Sequence, residues 1–255
     1  MAKRIAGTAL ALLVLVAATT ASQSSGPDGN ELLRRADEAV YPDAFVAEME
    51  LVTERSGGRS LRMEFLVTYK EETGTLLEIS GEGRWAGMRM LTTGDSLLLY
   101  NPRAGSSRPV RLTAAEGFQG SFFSNRDIAD PRYDQDYRAV SVTSETAQVE
   151  GIGAVEVYRV QAEATTPEAA YGRLTMLLRV EDSLPLRVNY FSRSGAHVKT
   201  MRVTEIRELA GRPRPAAYRM EPADRSDAYS SVRIISMTAR DDIDDSMFTE
   251  DYLTR

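Results

Sequence analysis

The chain has 255 residues, 42% of them hydrophobic and 27% charged, and its 31 Lys and Arg against 37 Asp and Glu give a formal net charge of −6. That balance excludes wholesale disorder and disfavours a general nucleic-acid binder, and a mean hydropathy of −0.31 excludes a polytopic membrane protein. Cysteine is absent and histidine occurs once, as His197, which excludes disulfides, thiolate metal sites, iron–sulfur clusters, cysteine nucleophiles and multi-histidine metal centres.

Lys3 and Arg4 precede an apolar run from Ile5 to Ala18, followed by the small residues Thr19, Thr20, Ala21 and Ser22. This is the layout of a secretory signal peptide, and the run is shorter than the ~20 residues of a spanning helix. Residues 1–21 are expected to be the signal peptide, cleaved after Ala21, and 22–29 a flexible segment. Residues 30–255 read as a single domain without internal repeats. An exported chain with neither cysteine nor an Asn-x-Ser/Thr sequon fits a periplasm.

Asn30–Val40 reads as a helix capped by Asp28 or Asn30, with Leu32, Leu33, Ala36, Ala39 and Val40 on one face. Tyr41-Pro42 ends it, because a residue before proline is pushed out of the α region. The period then changes to two. Phe45, Ala47, Met49 and Leu51 alternate with Val46, Glu48, Glu50 and Val52, and Leu61, Met63, Phe65, Val67 and Tyr69 with Arg62, Glu64, Leu66, Thr68 and Lys70, with Gly57-Gly58 as the hairpin turn between the runs. Shorter strands are predicted around 76–79, 84–91 and 96–100. A second set is predicted around 137–143, 154–163, 172–180, 185–192, 197–208 and 229–239, with Gly211, Pro213 and Pro215 as a turn. Sequential strands without intervening helices imply an antiparallel meander. Between the two sets lies a long non-strand insertion, 101–136, in which Ser124-Asn125-Arg126-Asp127 starts a short helix before Pro131.

Little in the sequence supports catalysis. His197 follows a Ser194-Gly195 turn with no G-x-S-x-G elbow and reads as a surface residue. Gly81-Glu82-Gly83 has the wrong spacing for a dinucleotide loop and reads as a hairpin. Asp127, Asp130, Asp134 and Asp136 in the insertion, and Asp241, Asp242, Asp244 and Asp245 near the C-terminus, lack the EF-hand pattern and read as solvated loop carboxylates. No catalytic residue, metal or cofactor is expected. The methionines are more informative: Met49, Met63, Met88, Met90, Met176, Met201 and Met237 all fall in predicted strands, and soft side chains adapt to irregular apolar partners.

The order of features resembles the LolA-like outer-membrane lipoprotein-sorting family over residues 30–255. The elements are the opening helix, the Met49–Tyr69 hairpin, Leu98-Leu99-Tyr100-Asn101-Pro102, Arg108-Pro109-Val110-Arg111-Leu112 and Gly120-Ser121-Phe122-Phe123-Ser124-Asn125-Arg126-Asp127-Ile128. Leu184-Pro185-Leu186-Arg187-Val188-Asn189-Tyr190-Phe191, Ser194-Gly195-Ala196-His197-Val198-Lys199-Thr200 and the closing Phe248-Thr249-Glu250-Asp251-Tyr252-Leu253 follow. Relatives tend to carry an Asp where Phe122 and Phe123 stand here. The resemblance implies a mainly β fold, a single curved antiparallel sheet forming an incomplete barrel closed by a few short helices.

It also implies a hydrophobic cavity that shields acyl chains of lipoproteins or other lipids, with an inner-membrane transporter and an outer-membrane receptor as partners. A ~15-carbon chain represents on the order of 12 kcal/mol of unfavourable exposure, which gives such a carrier its purpose. The expected cavity wall is Phe45, Met49, Leu51, Met63, Phe65, Met88, Met90, Leu174, Met176 and Leu178, with Phe122 and Phe123 as lid residues. Two other readings stay open: a lipid- or lipoprotein-sensing adaptor, and an envelope glycan or lipid hydrolase using paired carboxylates.

Overall fold

Helix α1 spans Gly29–Val40 in the computed structural model, which describes residues 26–105 and 108–255. The expected signal peptide lies outside the described residues, as do residues 22–25 of the segment after it. Asp28 is the N-cap, its side chain accepting the Asn30 N–H, and Leu32, Leu33, Ala36 and Val40 form the buried face. Tyr41 is extended, as the following proline requires. Arg214 secures this end of the helix, its Nη1 donating to the carbonyls of Glu38 at 3.0 Å and Ala39 at 3.1 Å.

Six strands follow: β1 (Ala44–Arg55), β2 (Arg59–Lys70), β3 (Gly74–Ser80), β4 (Arg89–Thr93), β5 (Ser96–Tyr100) and β6 (Val110–Arg111). The insertion then carries two short helices, α2 (Asn125–Ala129) and α3 (Tyr133–Asp136). The second strand set is β7 (Tyr137–Val149), β8 (Gly153–Ala164), β9 (Arg173–Arg179), β10 (Pro185–Phe191), β11 (His197–Leu209), β12 (Arg212–Pro222) and β13 (Tyr229–Ala239), and α4 (Glu250–Leu253) closes the chain. Gly57 and Gly58 both take positive φ in the β1–β2 turn, a conformation that suits glycine.

All strands join one antiparallel sheet in the order β6-β5-β4-β3-β2-β1-β13-β12-β11-β10-β9-β8-β7, which is not closed into a barrel. The chain therefore starts mid-sheet, runs outward to one edge at β6, crosses to the other edge at β7, and returns to pair β13 with β1. The insertion is the crossing segment, so topology alone carries it across one face of the sheet.

The structure corrects three expectations. The 84–91 strand is shorter: residues 84–87 form a turn, and strand β4 is Arg89–Thr93. Met88 thus lies just before β4, although its carbonyl accepts the Ile79 N–H. The region read as a turn around Pro213 and Pro215 is strand β12. Both prolines pair with β11, opposite Glu208 and Ile206, while pairing of β12 with β13 involves only Ala217–Met220. Proline lacks an N–H to donate, and here it occupies the stretch with one strand neighbour. The insertion carboxylates, read as solvated, are in part buried, as described below.

The two faces of the sheet are distinct. The inner face, covered by α1, α2, α3 and the insertion, holds the main apolar cluster. On the outer face Leu76 and Leu91 pack against Ile243, Phe248 and Leu253 from the closing segment, and Val157, Leu177, Leu184 and Leu186 form a second small cluster.

Candidate functional site: the inner face and its cover

All ten expected wall residues are buried in the main cluster. In β9 Leu174, Met176 and Leu178 face inward while Leu177 faces the outer cluster, so strand parity agrees with the alternation in the sequence. Met201, Met220 and Met237 join the same face. The Phe45 ring stacks on Tyr41 and Tyr69, whose rings are tilted to each other, with centroids 5.1–5.7 Å apart, at its end near α1.

The cover leaves little space beneath it. A cavity of about 50 Å³ lies between the sheet and the insertion, lined by Met49, Phe65, Phe123, Tyr190, Met201 and Met220 among others. Such a void holds a few water molecules at most and is too small for an acyl chain. Phe123 is 4% exposed and fills the interior; Phe122 is half-buried at the surface.

The cover is held by directed polar contacts. Ser124 and Asp127 form a capping box at the start of α2: the Ser124 hydroxyl accepts the Asp127 N–H, and Asp127 accepts the Ser124 N–H at 2.7 Å. Asp127 Oδ2 also accepts from the Tyr171 hydroxyl at 3.0 Å and from Lys199 Nζ at 2.6 Å. The Lys199 ammonium donates further to the Phe122 carbonyl at 2.9 Å and lies 5.0 and 5.5 Å from the ring centres of Tyr171 and Tyr190. The Phe122 N–H donates to Ser230 Oγ at 2.9 Å, Thr75 Oγ1 donates to the Ala129 carbonyl at 3.1 Å, and Arg55 donates to the Gly120 carbonyl. Contacts from β1, β3, β11 and β13 thus converge on residues 120–129. Burial and the Asp127 charge push the Tyr171 hydroxyl well above its ordinary range, which keeps it a donor.

The other insertion acids form a second polar region beside α1. Asp37 Oδ2 accepts the Asp134 N–H at 3.0 Å, and its Oδ1 is buried without a hydrogen-bond partner among the described residues. Burial holds the Asp37 carboxyl well above the usual range and raises Asp130 to about 6, against the opposing pull of Arg126 and Arg132. Asp136 is buried beside Arg132 at 3.5 Å. The C-terminal acids Asp241, Asp242, Asp244 and Asp245 are exposed, as expected. Among the described residues no three His, Cys, Asp or Glu side chains are placed to hold a metal ion.

Sequence reasoning missed Lys199, Tyr171 and Asp127 as partners. Part of the signal was present: Ser124-x-x-Asp127 is a capping-box pattern, and Lys199 has the parity of Met201 and Val203, so a cation on the apolar face of β11 was legible. His197 is exposed, its Nε2 3.1 Å from Thr200 Oγ1.

A family model described as "Uncharacterized protein" matches residues 71–255. No curated protein sequence matches the chain. Among solved structures, the chain is similar to a LolA superfamily protein from Nitrosomonas europaea, with a TM-score of 0.77 and 22% identity over 89% of this chain and 100% of that one. It is similar to a DUF1329 family protein from Desulfovibrio piger, with a TM-score of 0.75 and 18% identity over 88% and 97% of the two chains. A third likeness, with a TM-score of 0.74 and 17% identity over 89% and 98%, is to a domain from Vibrio parahaemolyticus described as an outer membrane lipoprotein-sorting protein. At these identities the likeness is one of fold.

Proposed function

Because the chain belongs to the family matched over residues 71–255 and has the LolA-like fold, we propose that it is a periplasmic carrier that shields the acyl chains of lipoproteins or other lipids, and that the structure is its closed form. The observation that carries this reading is the pairing of an apolar, methionine-rich inner face with a cover fixed by a few polar contacts. An ordinary sheet core needs no latch. A carrier needs a closed state that hides its wall from water and an open state that a lipid can select. The wall side chains are soft enough to refit around a chain, and Phe123 lines the 50 Å³ void, so that moving its ring would enlarge it. Exchange with membrane partners follows from the same need, since a buried chain is released only to another apolar site.

A cross-link tests the reading. The chain has no cysteine, so Phe122→Cys with Ser230→Cys introduces a single possible disulfide across a 2.9 Å contact between cover and sheet. The reduced protein should bind a fluorescent acyl probe, lipid should displace it, and the oxidised protein should not bind. Equal binding by both forms overturns the lid, and binding by neither reduced variant nor wild type overturns the carrier.

A further inference from the structure

Arg126 on α2 is 3% exposed. Its Nε and Nη1 are sealed from solvent and have no hydrogen-bond acceptor among the described residues. A buried guanidinium stays charged, and leaving its donors unmet is among the most costly arrangements a fold retains. The nearby carboxylates do not meet them: Asp95 and Asp136 are engaged by Arg132, at 2.8 and 3.5 Å, and Asp130, which also attracts Arg126, makes no hydrogen bond to its Nε or Nη1. Arg126 lines a groove of about 540 Å³ on the outer side of α2. Exposed Arg111 lines the same groove, and Arg193 donates from Nη2 to the carbonyls of Thr166, Pro167 and Ala169, which fixes the loop on its far side. The rest of the wall carries two carboxylates, Asp95, which Arg132 already pairs at 2.8 Å, and Glu168, beside the apolar Leu97, Leu112, Tyr171 and Val198. Tyr171 and Val198 also line an adjoining groove of about 410 Å³ that reaches Phe122 and Lys199.

We propose that this groove is a binding site for the oxyanion head of an amphiphile, with Arg126 as the principal ligand, Arg111 as a second cation and the Leu97–Leu112–Val198 wall against the first part of the apolar chain. A guanidinium presents two parallel donors to a phosphate or carboxylate and is the group suited to such a buried contact. The neighbouring residue on α2 is Asp127, which with Tyr171 and Lys199 holds the cover shut. An anion at Arg126 therefore sits one residue from the latch, and its chain points along the continuous groove to Phe122. The inference deepens the carrier reading and rests on it for the identity of the tail, not for the anion.

The test compares three probes on the protein purified after export: dodecyl phosphate, inorganic phosphate and neutral monododecanoylglycerol. Dodecyl phosphate should bind roughly tenfold or more tighter than the neutral lipid, the ratio one charge-assisted pair supplies. In Arg126→Met the ratio should fall to about threefold or less, the share left to Arg111, while the free variant melts no lower than wild type, because replacing a buried charge whose donors are unmet by an apolar side chain of similar length removes a cost. Arg111→Ala, a surface change, should lower the ratio by roughly threefold and carries the test if Arg126→Met does not fold. An unchanged ratio in the folded variants overturns the inference. Equal wild-type binding of the charged and neutral lipids also overturns it and leaves the carrier intact. Arg126-dependent binding of inorganic phosphate, with no binding of either lipid, overturns the carrier and keeps the anion site; the groove then serves a free anion and not a lipid head.

Discussion

Asp127 on α2 and Lys199 on β11 form a 2.6 Å ion pair whose side chains are only 6% and 8% exposed. The two residues are far apart in sequence, and the pair ties the crossing segment to the sheet it covers. A buried pair is weak evidence for net stability, because desolvation consumes much of the Coulombic gain. It is well suited to a latch, since it holds one geometry and is lost as a unit.

Removing one partner should therefore cost more than removing both. Lys199→Met and Asp127→Leu are each expected to destabilise the protein by about 3 kcal/mol, because each strands a buried charge, while the double variant should recover most of the loss. Urea midpoints of the four proteins form a double-mutant cycle. Additive losses would show that the two residues act independently.

Phe122 and Phe123 should separate despite being neighbours. Phe123→Ser empties part of the interior and is expected to cost about 3 kcal/mol; Phe122→Ser, at a half-buried surface position, should cost less than about 1 kcal/mol. In both variants amide exchange over residues 118–130 should accelerate while β8 to β11 stay protected, and acyl-probe association should quicken. Global loss of protection in Phe122→Ser would place that residue in the structural core.

Asp130 makes stability depend on pH. Burial raises its folded pKa to about 6, above the unfolded value, so the folded state holds this proton more tightly. The stability this group contributes is complete below about pH 4 and is lost as pH rises through 6. Asp37, raised in the same direction, acts likewise. Asp130→Asn should therefore match wild type near pH 4 and exceed it by up to about 3 kcal/mol at pH 7.5. Denaturant titrations at the two pH values check this, and a variant less stable than wild type at pH 7.5 would show that the charge is needed.

Arg214 should behave as a helix-end clamp. Its two bonds to the Glu38 and Ala39 carbonyls place a cation at the negative end of α1. Arg214→Met should cost about 2 kcal/mol, seen as faster amide exchange in α1 before the sheet opens.

Much of the fold was legible because it depends on local pattern. Alternation placed Met49, Met63, Met90 and Met176 on one face, since the strand period is two whatever the partner strand, and Gly57-Gly58 and Tyr41-Pro42 marked boundaries through their own backbone limits. The turn assigned at Pro213 and Pro215 failed because proline's meaning depends on how many strands flank it, and that is a property of the sheet. The same holds for the candidate site. The sequence marked Phe122, Phe123 and a short helix starting at Ser124-Asn125-Arg126-Asp127, all local features. Only the tertiary structure brought Asp127 to Lys199 and Tyr171, left Arg126 buried beside a groove, and turned four apparently solvated loop acids into a set that includes buried groups. Those outcomes depend on the chain crossing from β6 to β7 over the inner face. Contact across that distance is decided by which strands close the sheet, and burial by what the crossing excludes from water, neither of which is written in any local run of residues.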